Sequence, residues 1–293
     1  MKDAPVLHAG ELAFFQLLHG LVRVLPHSGA RRLGRALGGV AYLLLASRRR
    51  IALANLELAM PELDERSRHD VARGSFRQMT AHATELLSLG RFDAAALCRR
   101  WTLDGWEHVT AATSGSRAAF LMTAHFGYWE MVGQATGLYA PPVLALVRPL
   151  DNPRLDRRLA ALRTRFGLRL IHKHGAARSL VRNLQAGGRL LVLLDQRVAP
   201  RDAVVVPFFG RPARTSSLIA RLALKHRTPV VPVYAYPAPG GRYRVVARPA
   251  IAPESDTADP VRDLTGRCVA AVETEIRRRP DLWLWMHDRW KMT

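Results

Sequence analysis

The sequence predicts an α/β protein with a mixed, largely parallel central sheet flanked by helices, preceded by a helical N-terminal segment. Two observations predict this fold class. From about residue 118 onwards, short apolar stretches of strand length alternate with longer amphipathic stretches of helix length, a pattern typical of α/β domains. In the first hundred residues, apolar side chains instead recur at helical spacing.

The N-terminal segment, residues 1–50, is predicted to be helical and to associate with a membrane. Its apolar residues recur in two runs, Leu12, Phe15, Leu18, Leu21 and Val22 in the first and Leu33, Leu37, Val40, Leu43 and Leu44 in the second. Arginines precede the second run and follow it. Short apolar helices with basic margins suit a membrane interface, where arginine meets lipid phosphate. Two ordinary helices packed on the core, with solvated arginines, are the other interpretation.

Residues 51–293 are predicted to form one α/β domain, on which the N-terminal helices pack. Residues 62–98 continue the helical pattern. The predicted strands are Ala118–Thr123, Val143–Val147, Leu168–Ile171, Leu190–Leu194, Val204–Val206, Val230–Tyr236 and Tyr243–Ala247. The predicted helices among them and after them are Asn152–Phe166, Ala176–Ala186, Thr215–Lys225 and Val261–Arg279.

Composition and charge limit the classes of function. Hydrophobic residues make up 48% of the 293 residues and charged residues 23%, which excludes a disordered or low-complexity scaffold. Lysine and arginine number 44 against 24 aspartate and glutamate, a net charge of +20. This excess favours anionic partners, namely nucleic acid, an acidic membrane surface or phosphorylated substrates. Nearly all of the positive charge is arginine, which binds phosphate bidentately, although genomic base composition is an alternative source of that bias.

The cysteines and the apolar runs exclude further classes. Cys98 and Cys268 lie far apart and belong to no CxxC or His-rich cluster, so we expect neither a disulfide framework nor a cysteine-based zinc site. The first twenty residues lack the ordered regions of a secretory signal. No apolar run reaches the roughly 18–20 residues that span a bilayer. We expect no metal, no cofactor and no conventional membrane-spanning helix.

The most informative stretch begins at Phe120, where an apolar strand leads into Thr-Ala-His and then into a helix predicted to start near residue 126 or 127. Catalytic groups gather at the carboxyl ends of strands in open α/β sheets, and His125 stands there. Glu130, in the first helical turns, is predicted to contact one imidazole nitrogen and leave the other as a base. No serine or cysteine stands at a nucleophile position, so base catalysis on a substrate hydroxyl is favoured over an acyl-enzyme. A histidine that caps a helix is the other interpretation of so short a motif.

Five blocks, in order along the chain, share a wider pattern. They are Arg49 to Leu63 with Asn55, His125 to Glu130, Val147 to Gly167, Leu193 to Thr215 with Asp195-Gln196, and Trp283 to Lys291. Together they resemble the late acyltransferases of lipid A biosynthesis, the lauroyl/myristoyl transferase family, within the H-x4-D/E glycerolipid-type acyltransferases. Five ordered blocks are far more specific than one His–Glu pair.

The resemblance implies a reaction and its partners. The reaction is transfer of a fatty acyl group from an acyl-carrier-protein thioester to a hydroxyl of a lipid A-type glycolipid precursor, with His125 as general base and Glu130 as its orienting carboxylate. The implied partners are the acyl carrier protein, an anionic lipid or glycolipid acceptor and a membrane surface, with no nucleic acid expected. The implied location is the cytoplasmic face of the cell inner membrane, with peripheral or monotopic attachment. Backbone N–H groups at the start of the following helix are candidate donors to the oxyanion.

Five further residues are candidate substrate-binding groups. Arg148 follows a strand, and Arg163 and Arg165 lie where the family binds acidic head groups, with a slight preference for Arg165. Solvated charges on a helix face are the other interpretation of these arginines. Asp195 and Gln196 directly follow a strand, which places them on the edge of the sheet that carries the catalytic histidine. Their predicted role is contact with substrate or with neighbouring arginines, against that of an ordinary turn.

Other functions stay open on the sequence alone. Within the superfamily, the acceptor is alternatively a phospholipid, an aminolipid or another glycolipid, and Arg197 departs from the family pattern near the site. A membrane-surface protein that kept the fold without the activity is a second alternative. A basic nucleic-acid-binding protein is a distant one, because the arginines are dispersed and no zinc finger, basic zipper or RNA-recognition pattern is found.

Overall fold

A computed structural model describes residues 4–172, 177–254 and 256–291. The helices are α1 (Ala4–Val24), α2 (His27–Leu44), α3 (Ala46–Ala59), α4 (Glu65–Ser88), α5 (Ala94–Cys98), α6 (Glu107–Thr113), α7 (Trp129–Tyr139), α8 (Pro153–Thr164), α9 (Ala177–Gln185), α10 (Leu218–His226) and α11 (Pro260–Arg278). The strands are β1 (Trp101–Asp104), β2 (Ala119–Thr123), β3 (Val143–Val147), β4 (Leu168–His172), β5 (Arg189–Leu193), β6 (Ala203–Phe208), β7 (Arg211–Ser216), β8 (Val230–Ala238) and β9 (Arg242–Ala247).

Seven of these strands form one sheet in the order β1-β9-β8-β2-β5-β3-β4, and β6 and β7 form a separate antiparallel hairpin. Within the seven-stranded sheet, only β8 and β9 pair antiparallel, and the other neighbours are parallel. The predicted α/β fold with a mixed, largely parallel sheet is confirmed. β5 pairs in parallel with β2 on one side and with β3 on the other. The carboxyl ends of these three strands therefore lie next to one another.

The predicted strands are all present, with small shifts at their ends, but two strands were missed. β1 has only four residues, and β7 reads Arg-Pro-Ala-Arg-Thr-Ser, so neither shows the apolar pattern of a buried strand. The predicted helix from Thr215 starts too early, because that residue belongs to β7. The helical pattern of residues 62–98 breaks after Ser88 into a turn and the short α5. The predicted start of α9 at residue 176 lies outside the described residues.

Apolar clusters cover the sheet on both faces. One cluster includes residues of α9, α10 and α11, and the other includes residues of α6 and α7. All five residues of β2 are buried, as expected for a parallel strand with helices on both sides. Burial from both faces holds the end of β2 rigidly, and the candidate catalytic histidine follows two residues later.

α2 packs on α4 through small residues. A Cβ at Gly34 of α2 would lie 2.5 Å from the Cα of Ala81, and one at Gly38 would lie 2.5 Å from the Cα of Arg77. Side chains at either glycine would therefore force the two helices apart. α3 spans residue 50, the predicted end of the N-terminal segment. Ala52 and Leu56 of that helix are buried in the main apolar cluster.

Large apolar side chains remain exposed on α1 and at the end of α2. They are Phe14, Leu17, Leu21 and Val24 on α1, and Val40, Leu43, Leu44 and Leu45 at and just beyond the end of α2. Over residues 4–172, 177–254 and 256–291, no helix has both the length and the apolar character that crossing a membrane requires.

Candidate active site

His125 and Asp195 meet at the carboxyl edge of the sheet. β2 and β5 are parallel neighbours, and their last paired residues are Thr123 and Leu193, so residues two positions further on lie side by side. Asp195 Oδ1 accepts a hydrogen bond from His125 Nδ1 at 2.9 Å, and Oδ2 accepts one from the His125 backbone N–H at 2.9 Å. The indole Nε1 of Trp283 donates to the same Oδ2 at 2.9 Å. The carboxylate therefore orients both the backbone and the ring of His125.

The surroundings of Asp195 keep its carboxyl ionised. Burial alone would raise the pKa of this group, but the His125 ring, the Trp283 indole and the His125 backbone N–H together hold the pKa below its ordinary value. An ionised carboxylate accepts from Nδ1–H, so a neutral imidazole carries its proton on Nδ1 and a lone pair on Nε2. Gln196 Nε2 lies 3.3 Å from His125 Nε2, which is consistent with an amide N–H that donates a hydrogen bond to the lone pair of this ring nitrogen.

A tight loop, not a helix, follows His125. Gly127 has a φ of 58°, and a Cβ there would lie 2.1 Å from the carbonyl oxygen of Ala235, so only glycine fits. α7 begins at Trp129, and the predicted helix start near residue 126 or 127 is wrong. The N–H groups of residues 126, 127 and 128 already donate to backbone carbonyl groups, so the prediction of oxyanion donors at the helix start now applies to the first N–H groups of α7, at Trp129 and Glu130.

Glu130 pairs with Arg163 and not with His125. The Nε of Arg163 lies 2.9 and 3.0 Å from the two carboxylate oxygens of Glu130, and its Nη2 lies 2.5 Å from Oε1. The side chains are 8% and 21% exposed, respectively. The predicted contact between Glu130 and His125 is therefore wrong, and Asp195 occupies that place. The loop is the reason. Because it moves the start of α7 to Trp129, Glu130 becomes the second residue of that helix and is directed towards α8.

Arg163 and Arg165 diverge at the end of α8. Positions two apart on a helix do not face the same side. Arg163 lines the cavity beside His125, whereas Arg165 is exposed and donates to the carbonyl of Phe92 at 3.1 Å. The geometry favours Arg163 over Arg165, contrary to the slight preference from sequence.

A cavity of about 280 Å³ opens beside His125. His125, Glu130, Arg163 and Gln196 provide its polar groups, and Arg148 is an exposed lining residue. The remaining lining residues are Trp129, Gly133, Ala145, Leu146, Val147, Leu168, Leu170, Leu191 and Leu193. A few polar groups above an apolar floor suit a ligand with a reactive polar end and a long apolar body. Within the described ranges, no three His, Cys, Asp or Glu side chains are grouped so as to hold a metal ion.

Trp283 is the site residue that sequence analysis missed. Its indole binds Asp195, and the C-terminal stretch around it lies against the His125 loop, where the Leu284 N–H donates to the His125 carbonyl at 3.1 Å. Asn55 of α3 anchors this stretch by donating to the carbonyls of Trp285 and His287 at 2.8 and 2.7 Å. The available signal was the tryptophan-rich closing block, whose spacing did not indicate a partner.

Two aromatic rings, of half-buried Trp129 and buried His82, stand behind His125. Trp129 lies between His125 and His82, with ring centroids 5.2 Å from the first and 3.9 Å from the second. His82 is 3% exposed, and neither of its ring nitrogens has a hydrogen-bond partner among the described residues. Burial, with the charges of Arg163 and His125, lowers the pKa of His82 to about 3. His82 therefore stays neutral and acts as an aromatic support for Trp129.

The low pKa of His82 predicts a loss of stability in acid that His82→Phe removes. An unfolded histidine binds its proton near pH 6.5, whereas folded His82 resists protonation down to about pH 3. The stabilisation is complete above pH 6.5 and is lost as the pH falls towards 3. It amounts to about 2 kcal/mol between pH 7 and pH 5. Urea unfolding at both pH values should show His82→Phe losing about 2 kcal/mol less than the wild type, and equal losses would refute this assignment.

Comparison with known proteins gives a consistent result. The family model described as "Bacterial lipid A biosynthesis acyltransferase" matches residues 6–292. The lipid A biosynthesis lauroyltransferase of Escherichia coli (strain K12) is 27% identical over 276 residues, which are 92% of this chain and 88% of that protein. The lipid A biosynthesis palmitoleoyltransferase of the same organism is 25% identical over 91% of this chain and 86% of its own length.

A more partial similarity extends to a different acceptor class. The phosphatidylinositol mannoside acyltransferase of Mycobacterium tuberculosis (strain ATCC 25618 / H37Rv) is 24% identical over 137 residues, which are 46% of this chain and 43% of that protein. The family model, by contrast, covers nearly the whole chain. This protein therefore belongs to the bacterial lipid A biosynthesis acyltransferases and is an O-acyltransferase, as the five sequence blocks predicted.

Proposed function

We propose that this protein transfers a fatty acyl chain from an acyl-carrier-protein thioester to a hydroxyl of a lipid A-type glycolipid precursor, with His125 as general base and no acyl-enzyme. One observation carries the proposal. The ring of His125 is held by Asp195 through Nδ1, so that Nε2 is the basic nitrogen, beside a cavity with an apolar floor. That arrangement suits deprotonation of a hydroxyl next to a bound acyl chain.

The proposed reaction uses this geometry. Nε2 of His125 takes the proton of the acceptor hydroxyl while the hydroxyl oxygen attacks the thioester carbonyl carbon. The carbonyl oxygen becomes an oxyanion. The buried carboxylate of Asp195 stabilises the imidazolium that forms. When the oxyanion collapses, the C–S bond breaks, and the proton on Nε2 passes to the departing thiolate. The ester and the free thiol are released, and the ring is neutral again.

Arg163 is the donor that we assign to the oxyanion. Its Nε and Nη2 donate to Glu130, and in the described part of the chain no acceptor pairs with Nη1. A guanidinium held by a carboxylate within the cavity costs no reorganisation when negative charge develops on the thioester oxygen. Glu130 is on this account a positioning residue that holds Arg163 in place.

The positive net charge of the protein supports an acidic acyl donor and an acidic acceptor. The acyl carrier is acidic and the acceptor lipid carries acidic groups, while this chain has a net charge of +20. Arg148 is exposed among the cavity-lining residues, where an anionic group outside the cavity can reach its guanidinium. The apolar floor is left for the acyl chain.

We further propose that α1 lies in the membrane interface, which would place the site at the surface that contains the acceptor. Phe14, Leu17, Leu21 and Val24 are 63%, 74%, 45% and 79% exposed, and their spacing places them along one side of the helix. Contiguous exposed apolar residues mark a membrane or protein contact. The nearby arginines favour a surface of anionic lipid, such as the cytoplasmic face of the inner membrane.

Polar substitution along the apolar stripe of α1, formed by Phe14, Leu17, Leu21 and Val24, should release the protein from membranes. Each fully buried apolar side chain contributes about 1.5–3 kcal/mol, so Phe14→Gln/Leu17→Gln/Leu21→Gln should weaken binding to anionic vesicles by at least about 100-fold. The matched control replaces three exposed apolar residues elsewhere, Leu58, Tyr139 and Leu150, with glutamine. Vesicle co-sedimentation measures both triple variants. Equal binding by the stripe variant and the wild type would exclude α1 as the anchor.

Lipid mass spectrometry tests the reaction itself. In total lipids from cells with the protein, the lipid A-type glycolipid should carry one acyl group more than in cells without it or in cells with His125→Ala. The added mass gives the chain length. An acyl group that instead appears on a phospholipid, an aminolipid or another glycolipid would redirect the proposal to that acceptor. Identical lipids in all three strains would contradict it.

A further inference from the structure

Two neighbouring strands separate at the edge of the sheet that bears the active site. The pairing of β3 with β5 ends at Ala145 and Leu191. Each strand nevertheless continues for two residues beside its other neighbour, β3 with β4 as far as Val147 and β5 with β2 as far as Leu193. The last two residues of β3 and of β5 therefore face a gap in the sheet and not each other.

A second, smaller cavity lies on the other side of this gap. It has a volume of about 90 Å³, and its lining includes Val192 and Leu194 of the β5 region and Leu218 and Ile219 of α10. These four residues belong to the apolar cluster of the face that carries α10 and α11. The larger cavity beside His125 is lined mainly by residues of the opposite face. The two cavities are thus on opposite sides of the sheet.

Leu146 and Leu193 line both cavities. Successive side chains on a strand point to opposite faces, so Leu146 belongs with the small cavity and Leu193 with the large one. Each reaches the cavity of the other face only because the strands have separated between them. The two cavities are therefore divided by two leucine side chains and not by hydrogen-bonded backbone, and leucine side chains change rotamer readily.

We propose that the acyl chain passes through the gap between β3 and β5, and that the small cavity receives its methyl end. This inference rests on the proposed function and adds the residues that set chain length. The thioester lies at His125, the middle of the chain lies between Leu146 and Leu193, and the last methylenes contact Leu194, Leu218 and Ile219. Apart from Ser216, the residues that line the gap and the small cavity are apolar, as burial of methylenes requires, and each methylene accommodated contributes about fourfold to binding.

Ile219 is the residue at which chain length is most readily changed. It lies in the first turn of α10, is 3% exposed and lines only the far cavity. Ile219→Trp fills this cavity and should lower kcat/KM for the longest accepted chain by about 10- to 100-fold, with less than about threefold loss for chains short enough to end before the gap. Ile219→Ala should shift the preference towards longer chains.

The matched control is Leu222→Trp, one turn further along the same helix and outside the lining of either cavity. A series of saturated acyl-carrier thioesters of graded length, competing in one reaction with lipid A precursor, gives the chain profile. Opposite shifts for the two Ile219 variants, with an unchanged profile for the control, support the passage. An unchanged profile in both Ile219 variants overturns it.

A second measurement needs no variant. A carrier thioester with a diazirine at the end of its acyl chain should label the peptides that contain Leu194 or Ile219 in the wild-type protein. Labelling confined to residues of α7 and β4 would place the chain end on the near face and overturn the passage. Wild-type protein that accepts no acyl thioester at all would instead refute the proposed function, so the two failures are distinguishable.

Discussion

Replacement of Asp195 by asparagine should lower kcat by about 10²- to 10⁴-fold while the protein stays folded. In the native protein Oδ2 accepts from the His125 backbone N–H and the Trp283 indole, and Oδ1 accepts from Nδ1 of the ring. The asparagine oxygen will occupy the Oδ2 position, because both partners there are donors. Its amide group will then donate to Nδ1, which forces the ring proton onto Nε2. Nε2, the proposed base, then has no lone pair to accept a proton, although no contact is lost.

The control for this prediction is Glu130→Gln. The sequence pointed to Glu130 as the orienting carboxylate, whereas the structure shows it paired with Arg163. Glu130→Gln should therefore leave the tautomer of His125 unchanged, whereas Asp195→Asn should reverse it. Nitrogen-15 NMR of the ring reads the tautomer directly, and steady-state kinetics give kcat. An Asp195→Asn enzyme with near-native kcat and the Nδ1–H tautomer would remove Asp195 from the mechanism.

His125→Ala should cause a loss in kcat of about 10²- to 10⁴-fold or more, because a lipid hydroxyl is a poor nucleophile unless its proton is removed as it attacks. The ring of His125 contributes little to the floor of the cavity, which is formed by β3, β4 and β5, so substrate affinity should change much less than kcat. His108→Ala, at the opposite end of the sheet, is the matched histidine control and should keep full activity. Loss of affinity with an unchanged kcat would mean that His125 binds substrate and does not act as a base.

Much of the fold was predictable from the sequence, because apolar runs of strand length and the helical spacing of apolar residues are strong local signals. β2, β3, β5 and β8 are apolar runs of strand length between amphipathic helices, and these four strands form the centre of the sheet. β1 and β7 were missed because short or polar edge strands depend on pairing with a distant neighbour and not on their own composition.

The position of His125 was predictable, but its partner was not. The histidine follows an apolar strand, and the carboxyl-edge rule places it at the site. The partner depends on which strands are neighbours, and the pairing of β2 with β5 brings Asp195 beside the histidine. The positive φ at Gly127 then moved the helix start and directed Glu130 elsewhere. Close packing of the loop against the Ala235 carbonyl caused that change, and helical periodicity carries no sign of it.

Reconstitution with purified components tests the central claim most directly. The purified wild-type protein, an acyl-carrier-protein thioester and a lipid A precursor should yield precursor heavier by one acyl group, together with one equivalent of free carrier thiol, as measured by mass spectrometry. His125→Ala and Asp195→Asn should each form product at least about 100-fold more slowly, and Glu130→Gln should retain the native tautomer of His125. Product formed at the wild-type rate by both His125→Ala and Asp195→Asn would contradict the account.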